Sequence, residues 1–295
     1  MPNFGASERS IKELFYEGVT FYYEGDEYEV IECGKPTCPK GEPKTDIYIL
    51  AETNGHGREF KISFKQTNAD FIENKTNAER AELILGEDWK NIIIDATTGI
   101  EDAFYDKPLI YKKSHKRTGA GSITLGWKYE LLNKSGGDLS GIVNLSREQV
   151  IDVYAGTHLP ADKRNASVNG RVIMDSGIAN FMLVDDDMTD AQSVIDSVVS
   201  IDEYVNMHPT VYFACKALNY RTFEGKYDGN RPLSVCVDWN VIDGKLDGRL
   251  VFDAPLVTRG DVVADKLLKC LYILGIDTTD DIDDNTVTDS RIIIE

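Results

Sequence analysis

The chain of 295 residues is poor in the residues that build covalent or metal cross-links. Its five cysteines (Cys33, Cys38, Cys215, Cys236, Cys270) are scattered, and its four histidines (His56, His115, His158, His208) form no spaced pair. A structural zinc centre needs Cys and His at short, repeated spacings, so none is expected, and the cysteines read as buried or free thiols of a reducing compartment. No apolar run approaches the roughly 18 residues that cross a bilayer, and Met1 to Ser10 lacks the basic and then apolar stretch of a secretory signal. These absences predict a soluble, cytoplasmic protein with no membrane partner. Basic charge is also in deficit: 32 Lys and Arg face 50 Asp and Glu, a net charge of -18. That balance argues against indiscriminate polyanion binding, because phosphate contacts rest on Lys and Arg.

What is present suits a folded chain. A hydrophobic share of 42% with 28% charged residues excludes wholesale disorder and fibrous repeats. The length allows one elaborated domain or two modest ones. Ser or Thr followed three residues later by Glu or Gln marks helix starts at Ser10, Thr76, Ser146 and Thr189. These predict helices running to about Glu17, to Leu85, beyond Gln149 and to Val199. Val263, Leu267, Leu271 and Leu274 recur on one face of a late helix that Gly275 ends. Strands are expected near 20–23, 28–32, 46–51, 59–65, 171–174, 181–184, 233–239 and 250–252. The fold class is mixed α and β (α/β or α+β), with a boundary near residue 135 between an N-terminal core (1–135) and a C-terminal elaboration (136–295).

Residues 46–65 carry the chemistry. Along the strand at 59–65, Phe60, Ile62 and Phe64 share one face, while Glu59, Lys61, Ser63 and Lys65 share the other. Ile47, Ile49 and Ala51 form the apolar side of the strand before it, leaving Asp46 at its mouth. Two carboxylates and a lysine on neighbouring strands suit metal-assisted phosphodiester cleavage: hard oxygens hold Mg²⁺, and an ammonium offsets developing charge. Glu-x-Lys occurs four times, at Glu42, Glu59, Glu73 (with Lys75) and Glu224, but only Glu59-Phe60-Lys61 lies in a strong strand pattern just after a strand opened by an Asp. A two-residue turn at Asn54-Gly55 would set Asp46 opposite Ser63, four residues from Glu59. Sharing one metal therefore requires an asymmetric or bulged loop between Glu52 and Gly57.

On these residues the chain resembles the PD-(D/E)XK nucleases, in particular type II restriction endonucleases or a phage-encoded relative, over roughly residues 10 to 85. The resemblance implies a restriction-endonuclease-like core, a mixed central sheet flanked by helices. It also implies Mg²⁺, replaceable by Mn²⁺, held by Asp46, Glu59 and the Phe60 carbonyl, with Lys61 as the catalytic lysine. A Glu of the first helix, Glu13 or Glu17, assists in the family, and Glu17 is carried as a further ligand. Pro43 stands three residues ahead of Asp46, where the family has a Pro-Asp pair. The implied activity is sequence-specific hydrolysis of double-stranded DNA, with a homodimer as one form and the host cytoplasm as the location if the chain is phage-encoded.

Between Lys107 and Lys134 seven basic residues face Glu130 alone. Within that stripe Lys112, Lys113, Lys116 and Arg117, beside Tyr111 and ahead of Trp127 and Tyr129, are candidate DNA-binding residues together with Lys65. The alternative DNA track is Lys35, Lys40, Lys44 and Lys65. Asp185 to Asp187 and the acidic residues from Asp277 to Asp289 read as solvated segments, the latter a mobile tail. The rival function is a non-catalytic nucleic-acid or virion binding protein, or an acidic DNA mimic, with a decayed nuclease core.

Overall fold

The computed structural model describes residues 4–39, 41–67, 71–73, 76–185 and 187–294. Lys40, Lys75 and Asp186 lie outside them. The fold is mixed α and β. The chain divides into two compact units, each made of two segments: 1–70 with 145–209, and 71–144 with 210–295. Residue 135 therefore falls inside the second unit, in the loop after the strand Ser122–Leu132. The chain returns to the first unit because β4, its fourth strand, is completed by a strand that comes more than a hundred residues later.

The first unit opens with helix α1 (Phe4–Glu13) and the strands β1 (Thr20–Tyr23), β2 (Asp26–Gly34), β3 (Ile47–Thr53) and β4 (His56–Phe64). These four form an antiparallel meander. Beyond β4 the sheet continues with Phe181–Leu183, parallel to it, and then Val199–Ser200, antiparallel. The parallel step requires a crossover, which includes the helix Arg147–Ala155. Ser146 and Gln149 close the expected capping box at its start. The alternation read from the sequence defines the core: Phe60, Ile62 and Phe64 meet Ile47, Ile49 and Ala51, under Ile11, Phe15, Val194 and Ile195. Phe60 is fully buried, edge-on to Phe21, Tyr23 and Tyr28 and stacked on Phe181.

Three helix expectations shift, the one from Thr76 being capped by Asn77 one residue later. Helix α1 ends at Glu13 rather than starting near Ser10, so Glu17 lies beyond it in an exposed turn. The helix expected from Thr189 is capped by Asp190 with Ser193, one residue later.

The second unit is built on two strands of eleven residues each, Ser122–Leu132 and Val211–Arg221, paired antiparallel with a bulge between Leu218 and Asn219. The hairpin Val235–Ile242 and Lys245–Val251 adds to the Ser122–Leu132 side. The helix Gly260–Leu274 buries Val263, Leu267 and Leu271 and ends at Gly275 in the left-handed conformation, as its sequence predicts. Neither long strand was expected. Ser122–Leu132 does alternate, Ile123, Leu125, Trp127, Tyr129 and Leu131 against Ser122, Thr124, Gly126, Lys128 and Glu130, but almost all of both faces is buried. Its Gly126 (φ 148°) would place a Cβ 2.5 Å from the Val235 carbonyl, so the neighbouring strand's approach demands glycine there.

The acidic C-terminal segment is packed through the residues between its acids, while Asp277, Asp280, Asp281, Asp283 and Asp284 remain exposed. Thr279 and Ile282 are fully buried and Val287 nearly so. Thr278 and Asp281 form a capping box, and Ile293–Ile294 pairs in parallel with Ile110–Tyr111. Asp281 and Asp283 accept backbone N–H groups, and the carboxyls of both are held below the usual range by those bonds. Among the described residues no helix is long and apolar enough to cross a membrane.

Candidate active site

The register of the β3–β4 hairpin decides which side chains can meet. Thr53 pairs with His56 across a two-residue turn in which Asn54 (φ 50°) and Gly55 (φ 76°) are both left-handed. This is the primed turn that Asn-Gly favours. There is no bulge in the hairpin, so Glu59 stands opposite Leu50 and Lys61 opposite Tyr48. Asp46 lies one step beyond the last pair, Ile47 with Ile62. Its N–H donates to the Ile62 carbonyl (2.8 Å), and its Oδ2 accepts the Phe64 N–H (2.7 Å). Asp46 is thus anchored three to five residues past Glu59, about 10 Å or more at the rise of a strand. One Mg²⁺, with oxygens at about 2.1 Å, cannot be held by both carboxylates. The expected Asp46, Glu59, Lys61 triad is not assembled.

Glu59 and Lys61 instead form a closed local group. Tyr48 donates its hydroxyl to Glu59 Oε1 (2.7 Å), and the Lys61 ammonium lies 3.4 Å from Glu59 Oε2. Burial, and then the bond to Glu59, push the Tyr48 phenol well above its ordinary range. Asn180 clamps the backbone here: its Nδ2 donates to the Glu59 carbonyl (2.9 Å), and its Oδ1 accepts the Lys61 N–H (2.7 Å). The Phe60 carbonyl belongs to this closed stretch, between two strands.

At the other end of β4 lies Asp46. The charges acting on it are Lys65, Glu8 and Lys35. Desolvation dominates and raises its carboxyl to about 6, against Lys65, the Phe64 N–H and Lys35, while Glu8 adds to the rise. Glu8 comes from α1 and is held by Lys35, whose ammonium is 2.8 Å from Oε1 and 2.9 Å from Oε2. Desolvation lowers Lys35, but Glu8, Asp46 and Glu42 outweigh it and leave it above its usual value. Gln66 Nε2 donates to Ser7 Oγ (2.9 Å), fastening the end of β4 to α1. Lys65, expected on the DNA track, is the lysine beside Asp46, and the residue two before it is the buried Ser63.

Glu8, not Glu13 or Glu17, is the acidic residue of α1 at this site. A sequence signal existed: Glu8 precedes the buried Ile11 by three residues, so it shares the inward face of the helix. Asp46 and Glu8 carry hard oxygens of the kind Mg²⁺ takes, and Lys35 holds both oxygens of Glu8. Among the described residues no group of three or more His, Cys, Asp and Glu is placed to hold a metal.

The basic stripe lies in the second unit, and several of its cations are already engaged. Lys107 (2.6 Å) and Lys116 (3.0 Å) share Asp138, whose carboxyl they hold down at about 2. Lys112 donates to the Ile282 carbonyl (2.8 Å). Lys128 and Lys216 flank Glu130, which is 2% exposed, at 2.6 and 2.8 Å. Lys113 and Arg117 are exposed and make no ion pair among the described residues. No family model, no curated protein and no solved structure matches the chain.

Proposed function

We propose that the chain is a Mg²⁺-dependent endonuclease acting on double-stranded DNA, with its centre at Asp46, Glu8 and Lys65. The observation that carries this reading is Asp46, a carboxylate anchored at the hairpin mouth by the Ile62 carbonyl and the Phe64 N–H and raised to about 6 by burial, with Lys65, Glu8 and Lys35 as the charges that act on it. A carboxylate kept costly by desolvation and steadied by a lysine is characteristic of a working site. The order helix, hairpin, Asp strand, lysine strand also supports it.

Asp46 and Glu8 would hold the ion, which when bound supplies charge to polarise a phosphodiester and lower the pKa of a water. Lys65 then places its ammonium beside the scissile phosphate and offsets the charge that grows on its oxygens. Lys35 fixes the Glu8 carboxylate through both oxygens. Asp46 is ionised above about pH 6, so cleavage should rise through that pH and level off above it.

The test is nicking of supercoiled plasmid in Mg²⁺ and in Mn²⁺. Activity lost in Lys65→Ala and Asp46→Asn but kept in Lys61→Ala supports this centre. Activity lost in Lys61→Ala and kept in Lys65→Ala returns the site to Glu59 and Lys61. DNA binding without any nicking in the wild type favours the non-catalytic reading.

A further inference from the structure

In the second unit, Lys128, Arg231 and Arg259 line a cleft of about 120 Å³ together with Thr76, Asn77 and Asn230. We infer that this cleft is a phosphate-binding site, independent of the proposed nuclease centre, which contains none of these residues.

The charges point to an anion. Arg231 makes no ion pair among the described residues. Arg259 spends its Nε and Nη2 on the side-chain and main-chain oxygens of Asn230, at 3.0 and 2.9 Å, which leaves its charge without a counter-ion. Lys128 pairs with Glu130, but Glu130 is also held by Lys216, so that group carries a net positive charge. Asp261 Oδ2 accepts from Asn230 Nδ2 (2.7 Å), a carboxylate beside the lining.

The cleft also sits at a helix start. Arg259 is the N-cap of the fifteen-residue helix Gly260–Leu274 and offers no side-chain cap, while the Gly260 N–H donates to the Arg231 carbonyl (3.0 Å). The positive end of that helix adds to the field of the arginines. A second, independent observation comes from another lining residue. Thr76 is 5% exposed, and its hydroxyl has no hydrogen-bond partner. A buried hydroxyl without a partner is costly, and a bound oxyanion would supply one. Asn77 is fixed beside it, its Oδ1 capping the next helix through the Arg80 N–H (2.8 Å), so its amide N–H₂ remains to donate.

Size selects the ligand. Sites for whole small molecules run to roughly 300 Å³ and more, so 120 Å³ admits a phosphate group and a few waters but not a nucleotide. The ligand is therefore a phosphate, either inorganic or carried by a larger molecule whose remainder stays in solvent. Arginine forks suit its oxygens.

The experiment is calorimetric titration in EDTA, at fixed ionic strength, of the full chain with three probes. These are inorganic phosphate, a 5′-phosphorylated deoxydinucleotide, and the same dinucleotide without its terminal phosphate. EDTA silences the metal-dependent centre, so nuclease activity and this site fail separately. Saturable binding is expected, weakened at least about tenfold in the Arg231→Ser, Arg259→Ser double variant, through loss of charge-assisted bonds. Thr76→Val should weaken it several-fold. Both arginines are exposed, so melting without phosphate should be unchanged and report an intact fold. Preference for the terminal phosphate marks a monoester site, and equal binding of both dinucleotides marks a site for the nucleic-acid backbone. Absence of saturable binding by all three probes, or undiminished affinity in the double variant, overturns the inference.

Discussion

Strand β4 ends in two lysine steps four residues apart, Glu59-Phe60-Lys61 and Ser63-Phe64-Lys65, with opposite electrostatic character. At the first, Glu59 is satisfied on both oxygens, by Tyr48 and by Lys61. At the second, the carboxylate is Asp46, reaching in from β3 and raised to about 6 because desolvation outweighs its lysine and backbone partners. A carboxylate whose bonds are all met stabilises a sheet face. One that the fold keeps reluctant to ionise is a cost retained for some other reason. The motif match points to the first group, and the physics points to the second.

The most forceful way to break this comparison is to exchange the roles of the two lysines. Lys65→Ala should lower plasmid nicking by roughly 10²-fold to 10³-fold, the usual loss when one charge stabiliser is removed. Lys61→Ala should change it by less than about tenfold. Equal losses in both would mean that the two steps act as one site, which the register does not allow.

A second test is thermodynamic. Below about pH 3 Asp46 is protonated in both folded and unfolded chains and contributes nothing. Between its ordinary value of 3.8 and its folded value of about 6, the folded state holds the extra proton, so stability falls as pH rises. Above about pH 6 the ionised side chain costs about 3 kcal/mol, because each tenfold change in a proton equilibrium is worth about 1.4 kcal/mol. Asp46→Asn keeps an acceptor for the Phe64 N–H and removes that cost. In urea unfolding with EDTA it should therefore be more stable than wild type by about 3 kcal/mol at pH 8 and equal at about pH 3. A destabilised variant at pH 8 would show that Asp46 is structural after all.

How much of this was legible follows from the same hairpin. Alternation of Phe60, Ile62 and Phe64 identifies the core face, and Asn54-Gly55 identifies the turn. The turn alone implies that Asp46 falls short of Glu59, so the sequence already contained the objection to its own motif. Glu8 was hidden because α1 begins earlier than the Ser10 capping signal suggests. The long strand Ser122–Leu132 was written in its alternation, but the burial of its polar face was hidden. Lys128 and Glu130 look like solvent-facing residues, yet Glu130 is buried between Lys128 and Lys216 from the neighbouring strand. A cross-strand ion pair cannot be seen before the pairing is known. The C-terminal segment misled through composition, since its acids are spent on capping turns around Thr279 and Ile282.

At the first lysine step a smaller effect is expected. Tyr48→Phe leaves Glu59 with only Lys61 and should cost about 1 kcal/mol, a typical net hydrogen bond, or somewhat more because its acceptor is charged. Thermal or urea unfolding reads it, and nicking should be unchanged. A matching loss of activity would tie Glu59 to the chemistry.

The smallest expected effect separates paired from free cations in the basic stripe. Lys116 is committed to Asp138 and Lys112 to the Ile282 carbonyl, whereas Lys113 and Arg117 are exposed without an ion pair among the described residues. Each phosphate contact contributes roughly 0.9 to the slope of log affinity against log salt. If the stripe touches DNA, Lys113→Ala with Arg117→Ala should flatten that slope by up to about 1.8. Lys116→Ala frees no phosphate contact and leaves Asp138 with Lys107, so its slope should match wild type. Fluorescence anisotropy of a duplex in Ca²⁺ across a salt series measures both. An unchanged slope in the double variant would move the DNA track away from the stripe, toward Lys35, Lys44 and Lys65 around the Asp46 mouth.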